Sequence, residues 1–176
     1  MGQPVEWDSG AAVLQDGRVL AGRIHYPKGH GLIFIQNDKV KIVLTAEKIL
    51  SFCYYDSASN INRRFISLNK DKWGAHFYEV VINGEVSVLR ELKRYADKSH
   101  PDEIDSYRYF TFINNIMVPL MYFRKKTYPK LLEERPIEIQ AYVHRENLDP
   151  NDMRAAFLII MEFNRIKQNT LQARAY

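Results

Sequence analysis

The chain has 176 residues, 46% of them hydrophobic, which is enough for one well-buried core and short for two full domains. Its 25 basic and 21 acidic side chains leave a formal charge of +4, a surplus too small and too dispersed to mark the whole chain as a polyanion binder. Cys53 is the only cysteine, so an internal disulfide is excluded, and no run approaches the roughly 18 apolar residues of a membrane-spanning helix.

From the N-terminus, Met1-Gly2 before Gln3-Pro4 reads as the scar of a removed leader, and a strand-like start follows at once. That start fits a cytosolic protein and a trimmed exported one alike, and the chain is expected to be soluble. Asp16-Gly17 and Asn83-Gly84 each lie between alternating apolar and polar stretches, and both are expected as two-residue type I′ hairpin turns. Ala11 to Gln15 and Arg18 to Tyr26 make the first hairpin, with Leu20, Ile24 and Tyr26 on one face and Arg23 and His25 on the other. Gly22 on the apolar face predicts a bulge or the close approach of another strand.

After a turn over Pro27 to Gly31 come the strand Leu32 to Gln36, an Asn37-Asp38 turn and the strand Lys39 to Leu44. In that strand Val40, Ile42 and Leu44 are expected inward, and Lys39 and Lys41 outward. One helical turn at Thr45 to Lys48 leads into Ile49 to Tyr55, where Cys53, between Phe52 and Tyr54, is expected as a buried, inert thiol. Asp56 to Asn60 closes that strand, and Asn62 to Leu68, Ala75 to Ile82 and Glu85 to Leu89 complete a set of about eight. That number lets a sheet curl and bury one face.

The expected class is α+β: an antiparallel β-meander over 1–92 curled into a barrel-like sheet, followed by a hairpin and C-terminal helices within one domain. Residues 93–106, charged and broken by Pro101, form a loop. Residues 107–126 form a hairpin of Tyr107 to Ile113 and Ile116 to Phe123 around Asn114-Asn115, and Pro119 restricts its second arm to an edge or a bulge. Over 127–176 the pattern is helical, with Pro129 in the first turn of Tyr128 to Glu134 and a restart at Pro136. In the final helix Asp149 is expected at the N-cap, Pro150 at the first position, and Met153, Ala156, Phe157, Ile160, Met161 and Asn164 as the apolar stripe of a lid on the sheet.

No chemistry-bearing motif emerges. His25, His30, His76, His100 and His144 lack a second ligand at metal-site spacing, and Lys28-Gly29-His30-Gly31 leads into a strand where a phosphate cradle needs a helix. No serine has a Gly-x-Ser-x-Gly setting, and the paired carboxylates lie in exposed-looking segments. Accordingly no catalytic residue, metal ligand or cofactor is assigned. The enrichment that points to binding is aromatic: Tyr107, Arg108, Tyr109 and Phe112, with Tyr122, Arg124, Lys125 and Lys126, form the candidate binding patch, a composition shared by protein interfaces and single-stranded nucleic-acid platforms.

The run Val13 to Ile24, with its hydrophobic pair before Asp16-Gly17 and Gly22 five residues on, resembles the first motif of Sm-like RNA-binding barrels. The Asp and Asn of that family's RNA-contacting loop have no match in Tyr26 to Leu32, its second motif is absent, and no site residue is carried over. Asp16-Gly17, Phe77 to Val80, Asn83-Gly84 and Asp149 to Gln168 together are similar to bacterial conserved-hypothetical proteins of exported or envelope type, a resemblance that implies no activity but favours an exported or periplasmic setting, with the leader removed, over a cytoplasmic one. The functional expectation is a β-rich interaction or ligand-binding module for a protein or small ligand, favoured over an enzyme. Nucleic-acid binding by a small barrel is the alternative, and an enzyme whose site is assembled only in three dimensions is the second.

Overall fold

The structure is a computed structural model and describes residues 6–38, 40–69, 74–93 and 104–173. The expectations for the start of the chain at Pro4, for Lys39 and for most of the 93–106 loop lie outside the described residues. Tertiary contacts divide the chain into two compact units, Met1–Val80 with Glu91–Asp102, and Val81–Arg90 with Glu103–Tyr176.

The first unit is a meander of β1 (Asp8–Leu14), β2 (Val19–His25), β3 (Leu32–Asn37), β4 (Val40–Thr45), β5 (Ile49–Asp56), β6 (Ile61–Asn69) and most of β7 (Ala75–Ile82). Its hydrogen-bonded order is β7-β6-β5-β1-β2-β3-β4, and every register given for neighbours is antiparallel. The order is open, with β4 and β7 at its ends. A 3₁₀ turn of three residues, Ala46–Lys48, carries the chain from β4 to β5. Period-two patterning sends Ala12, Ile24, Ile33, Ile35, Phe52, Tyr54, Phe65 and Phe77 into one core. Tyr26, just past β2, sets its ring edge-on to Phe52, Phe65 and Phe77 at centroid distances of 5.3, 4.9 and 5.8 Å. Ser67 of β6 donates to the Ala46 carbonyl at 2.6 Å.

Gly22 does mark a close approach: a Cβ there would meet the Gln36 carbonyl of β3. The turns depart from expectation. At Asp16-Gly17 only the glycine has positive φ (+84°), and Gly17 N–H donates to Leu14 O at 3.0 Å. This is a three-residue loop closed by a glycine bulge. Neither Asn83 nor Gly84 has positive φ, and β8 starts only at Ser87, so that connection is wider than a two-residue turn. Among the described residues the type I′ pair is Asn114-Asn115, at φ +48° and +62°.

Two burial expectations are overturned. In β4 only Leu44 is buried, while Val40 and Ile42 are exposed, because a terminal strand lacks a neighbour to cover it. Cys53 is exposed, since the same alternation that turns Phe52 and Tyr54 inward turns the thiol out.

The second unit holds most of β8 (Ser87–Leu92), then β9 (Tyr107–Ile113), β10 (Ile116–Pro119), α1 (Tyr128–Glu134), α2 (Pro136–Arg145) and α3 (Met153–Ala173), with strand order β10-β9-β8. β10 is shorter than expected: Pro119 has no N–H for the ladder, and the chain turns into a 3₁₀ turn at Leu120–Tyr122. Arg135, held at φ −143° before Pro136, separates α1 from α2.

The helix α3 starts later than expected, and its cap is Asp152, whose Oδ1 accepts the Ala155 N–H at 2.9 Å. Asp149 instead closes the preceding turn, accepting from Asn151 N–H at 2.9 Å. The buried stripe of α3 is Ala155, Ala156, Ile159, Ile160, Phe163 and Asn164, whereas Met161 is exposed. Ala156, Ile159, Ile160 and Phe163 pack with Val86, Val88, Leu120, Phe123, Leu131 and Ile139. Asn164 works as a strand substitute, accepting from Val86 N–H at 3.0 Å and donating to Val86 O at 2.8 Å. The class is α+β, antiparallel strands with three α-helices among the described residues.

Candidate functional site

The candidate patch forms where β10 ends and the chain coils towards α1. After the 3₁₀ turn, Phe123–Thr127 makes a π-helical turn that runs directly into α1. Leu120, Phe123, Thr127 and Leu131 are buried, at the three- and four-residue steps of one helical face. Thr127 is tied down by a hydroxyl pair with Thr111 of β9 at 2.8 Å, and the Phe123 ring lies 5.9 Å from that of Tyr128.

With that face anchored, the intervening residues point to solvent. Met121 is 83% exposed and Tyr122 43%, and Arg124, Lys125, Lys126 and Lys130 are exposed beside them. From Met121 to Lys130 the sequence carries these four cations and no acid. Among the described residues none of the four takes part in an ion pair; Lys126 Nζ sits 5.7 Å from the centroid of the Tyr122 ring. A π-turn is a rare local geometry often associated with function, and here it fans three successive cations outward.

Of the residues singled out from the sequence, Tyr122, Arg124, Lys125 and Lys126 are brought together on this turn, and Arg108 is exposed on β9. The other three belong to the packing. Tyr107 is buried under the Arg90 guanidinium, 4.0 Å from its ring centroid; Tyr109 packs edge-on to Phe157 of α3 at 5.5 Å; Phe112 is half-buried. Sequence reasoning missed Met121 and left Lys130, a basic residue close to that run, out of the patch. The signal was available in the buried period of Leu120, Phe123, Thr127 and Leu131, which leaves both residues on the opposite side.

Two further clusters appear in the first unit. Arg63, buried, donates from Nε to Asp56 Oδ2 at 2.5 Å and from Nη1 to Glu79 Oε1 at 2.9 Å, and Ser59 Oγ accepts from Nη2 at 3.3 Å. Burial raises the Asp56 pKa, but the Arg63 hydrogen bond, the Ser59 N–H and the Arg63 charge outweigh it and hold the carboxyl below its ordinary value. Burial likewise pushes the Arg63 guanidinium down, and the two carboxylates more than restore it. The adjacent Tyr54 hydroxyl is pushed up by burial. These groups stay locked in their charged or neutral forms, which suits holding strands β5, β6 and β7 together and does not suit proton transfer.

The second cluster is aromatic. Trp7, His25 and Phe34 make a ladder with ring centroids 5.9 and 5.7 Å apart, Lys41 Nζ lies 5.5 Å from the Trp7 centroid, and Arg23 donates to the Trp7 carbonyl at 3.1 Å.

An open cleft of about 550 Å³ at the joint of α2 and α3 is lined by Tyr142, Leu148, Asp149, Asp152 and Arg154. Its Asp149 and Asp152 carboxylates are engaged on backbone N–H groups. Among the described residues no group of His, Cys, Asp and Glu is arranged to hold a metal ion, and no helix is long and apolar enough to cross a membrane. No protein-family model, curated protein or solved structure matches the chain.

Proposed function

We propose that the protein is an interaction or ligand-binding module, with the basic turn Phe123–Thr127 and its flanks as the binding surface for an anionic partner. The observation that carries this reading is the set of exposed cations Arg124, Lys125, Lys126 and Lys130, without acidic partners among the described residues, displayed beside exposed Met121 and Tyr122 on a turn anchored by Thr127 and Phe123. A cation left unpaired by its own fold is available to a ligand at no cost of breaking an internal bond. Nuclear magnetic resonance titration with a panel of anions, namely a single-stranded oligonucleotide, a polyglutamate peptide and anionic nanodiscs, tests it. The expected result is shift changes concentrated between residues 107 and 130 and lost in the Arg124→Glu/Lys125→Glu/Lys126→Glu variant. Changes elsewhere, or none with any anion, overturn it.

A second reading, nucleic-acid binding by the first unit, is supported by the Trp7–His25–Phe34 ladder with Arg23 and Lys41 beside it, a stacking surface next to positive charge. It fits a barrel-like curl of that unit, which we also propose. Thr45 and Ile49 are joined by three residues, yet β4 and β5 stand four positions apart in the strand order. A flat sheet would separate them by about 19 Å, beyond the roughly 14 Å that such a link spans when extended. The Ser67 bond to Ala46 and the reach of Tyr26 to Phe77 support the same curl.

A further inference from the structure

We infer that the turn from Met121 to Lys130 docks on an anionic lipid surface, with Met121 and Tyr122 entering the headgroup layer and the four cations lying in its plane. This rests on the reading above and names the partner of that same surface. Three features favour lipid over the other anions. Met121, 83% exposed, is a flexible apolar side chain directly beside the cations, and an apolar tip gains by leaving water for acyl chains but gains little from a phosphate backbone or an acidic peptide. Tyr122, 43% exposed, presents an amphipathic ring suited to the interface, and the Lys126 ammonium over it keeps the charge at headgroup level.

The third feature is the arrangement of the stretch. The residues facing away from Leu120, Phe123, Thr127 and Leu131 form one amphipathic strip in which cations recur over about two turns, at 124, 125, 126 and 130, with Glu133 the first acid after them. Complementarity to a plane of negative headgroups needs this kind of spread along one face. It does not need the bidentate or stacked geometry of base readout. A basic cluster of this size adds to membrane partition by about fivefold per cation.

The test is sedimentation of the full chain with vesicles of phosphatidylcholine alone and of phosphatidylcholine containing phosphatidylserine, at low and high salt. Binding is expected to the anionic vesicles only and to weaken with salt. Arg124→Glu/Lys125→Glu/Lys126→Glu should lower it by more than about a hundredfold. Met121→Ser, which leaves the charge untouched, should lower it several-fold, while Lys48→Glu in the first unit should change it little. Equal sedimentation of Met121→Ser and the unsubstituted chain overturns the insertion. Equal affinity for soluble glycerophosphoserine, or stronger capture by a single-stranded oligonucleotide that competes the vesicles away, overturns the lipid surface as partner. If vesicles fail to bind while oligonucleotide or polyglutamate shifts map to this turn, the lipid inference falls and the binding-module reading stands; if no anion maps there, both fall. Circular dichroism of each variant confirms that the fold is retained.

Discussion

One cationic centre in each unit sets up a contrast, because the two handle positive charge in opposite ways. In the first, Arg63 is drawn under the surface and matched by Asp56 and Glu79; in the second, Arg124, Lys125 and Lys126 lie exposed and, among the described residues, in no ion pair. The contrast teaches that charge by itself is not a sign of a site. A buried guanidinium between two carboxylates spends its hydrogen bonds inside the fold, whereas cations on a turn anchored from below keep theirs for a ligand.

The strongest way to break the comparison is to remove the buried cation. Arg63→Ala leaves two carboxylates at about 9% exposure without their partner and is expected to cost about 3–5 kcal/mol in urea denaturation. A loss near zero would mean that the pair is no more than surface charge. In the second unit Asn164→Ala strands both polar groups of Val86 and should cost about 2–4 kcal/mol by the same measurement.

Acid sharpens the same contrast. The Asp56 pKa is lower folded than unfolded, so its carboxylate stabilises the fold above its ordinary value of 3.8 and loses that contribution as pH falls through the folded value. Asp56→Asn should therefore flatten the acid limb of a stability-against-pH curve, while Lys125→Glu should leave that limb unchanged.

Smaller effects separate the two aspartates before α3. Asp152→Ala, which loses the helix cap, is expected to cost about 1 kcal/mol, and Asp149→Ala less, read as a difference in melting temperature. Smallest of all, each of Arg124→Glu, Lys125→Glu and Lys126→Glu should shift stability by no more than about 0.5 kcal/mol, because each side chain is exposed and, among the described residues, in no ion pair; a large loss would assign these cations to the fold.

The legibility of these features follows their range in the chain. The strand Tyr107 to Ile113, the single turn after Thr45 and the helix breaks at Pro136 were readable because alternation, proline and capping act over a few residues. The turn type was less so: Asp16-Gly17 tolerates the I′ geometry without requiring it, and the pair that adopts it is Asn114-Asn115. In the candidate patch the cations were visible as a run, but Tyr107 and Tyr109 read the same as Tyr122 until Arg90 and Phe157 were seen to cover them.

By itself the sequence determined the antiparallel meander, the hairpin and the closing helices, since period-two and period-3.6 patterns report backbone geometry directly. Tertiary structure alone decided that Val40, Ile42 and Cys53 face out, that Asp152 and not Asp149 caps α3, and that Asp56, Arg63 and Glu79 converge. The physical reason is that burial and pairing depend on which strand lies alongside and in which register. That information is held in long-range contacts, and no local window contains it.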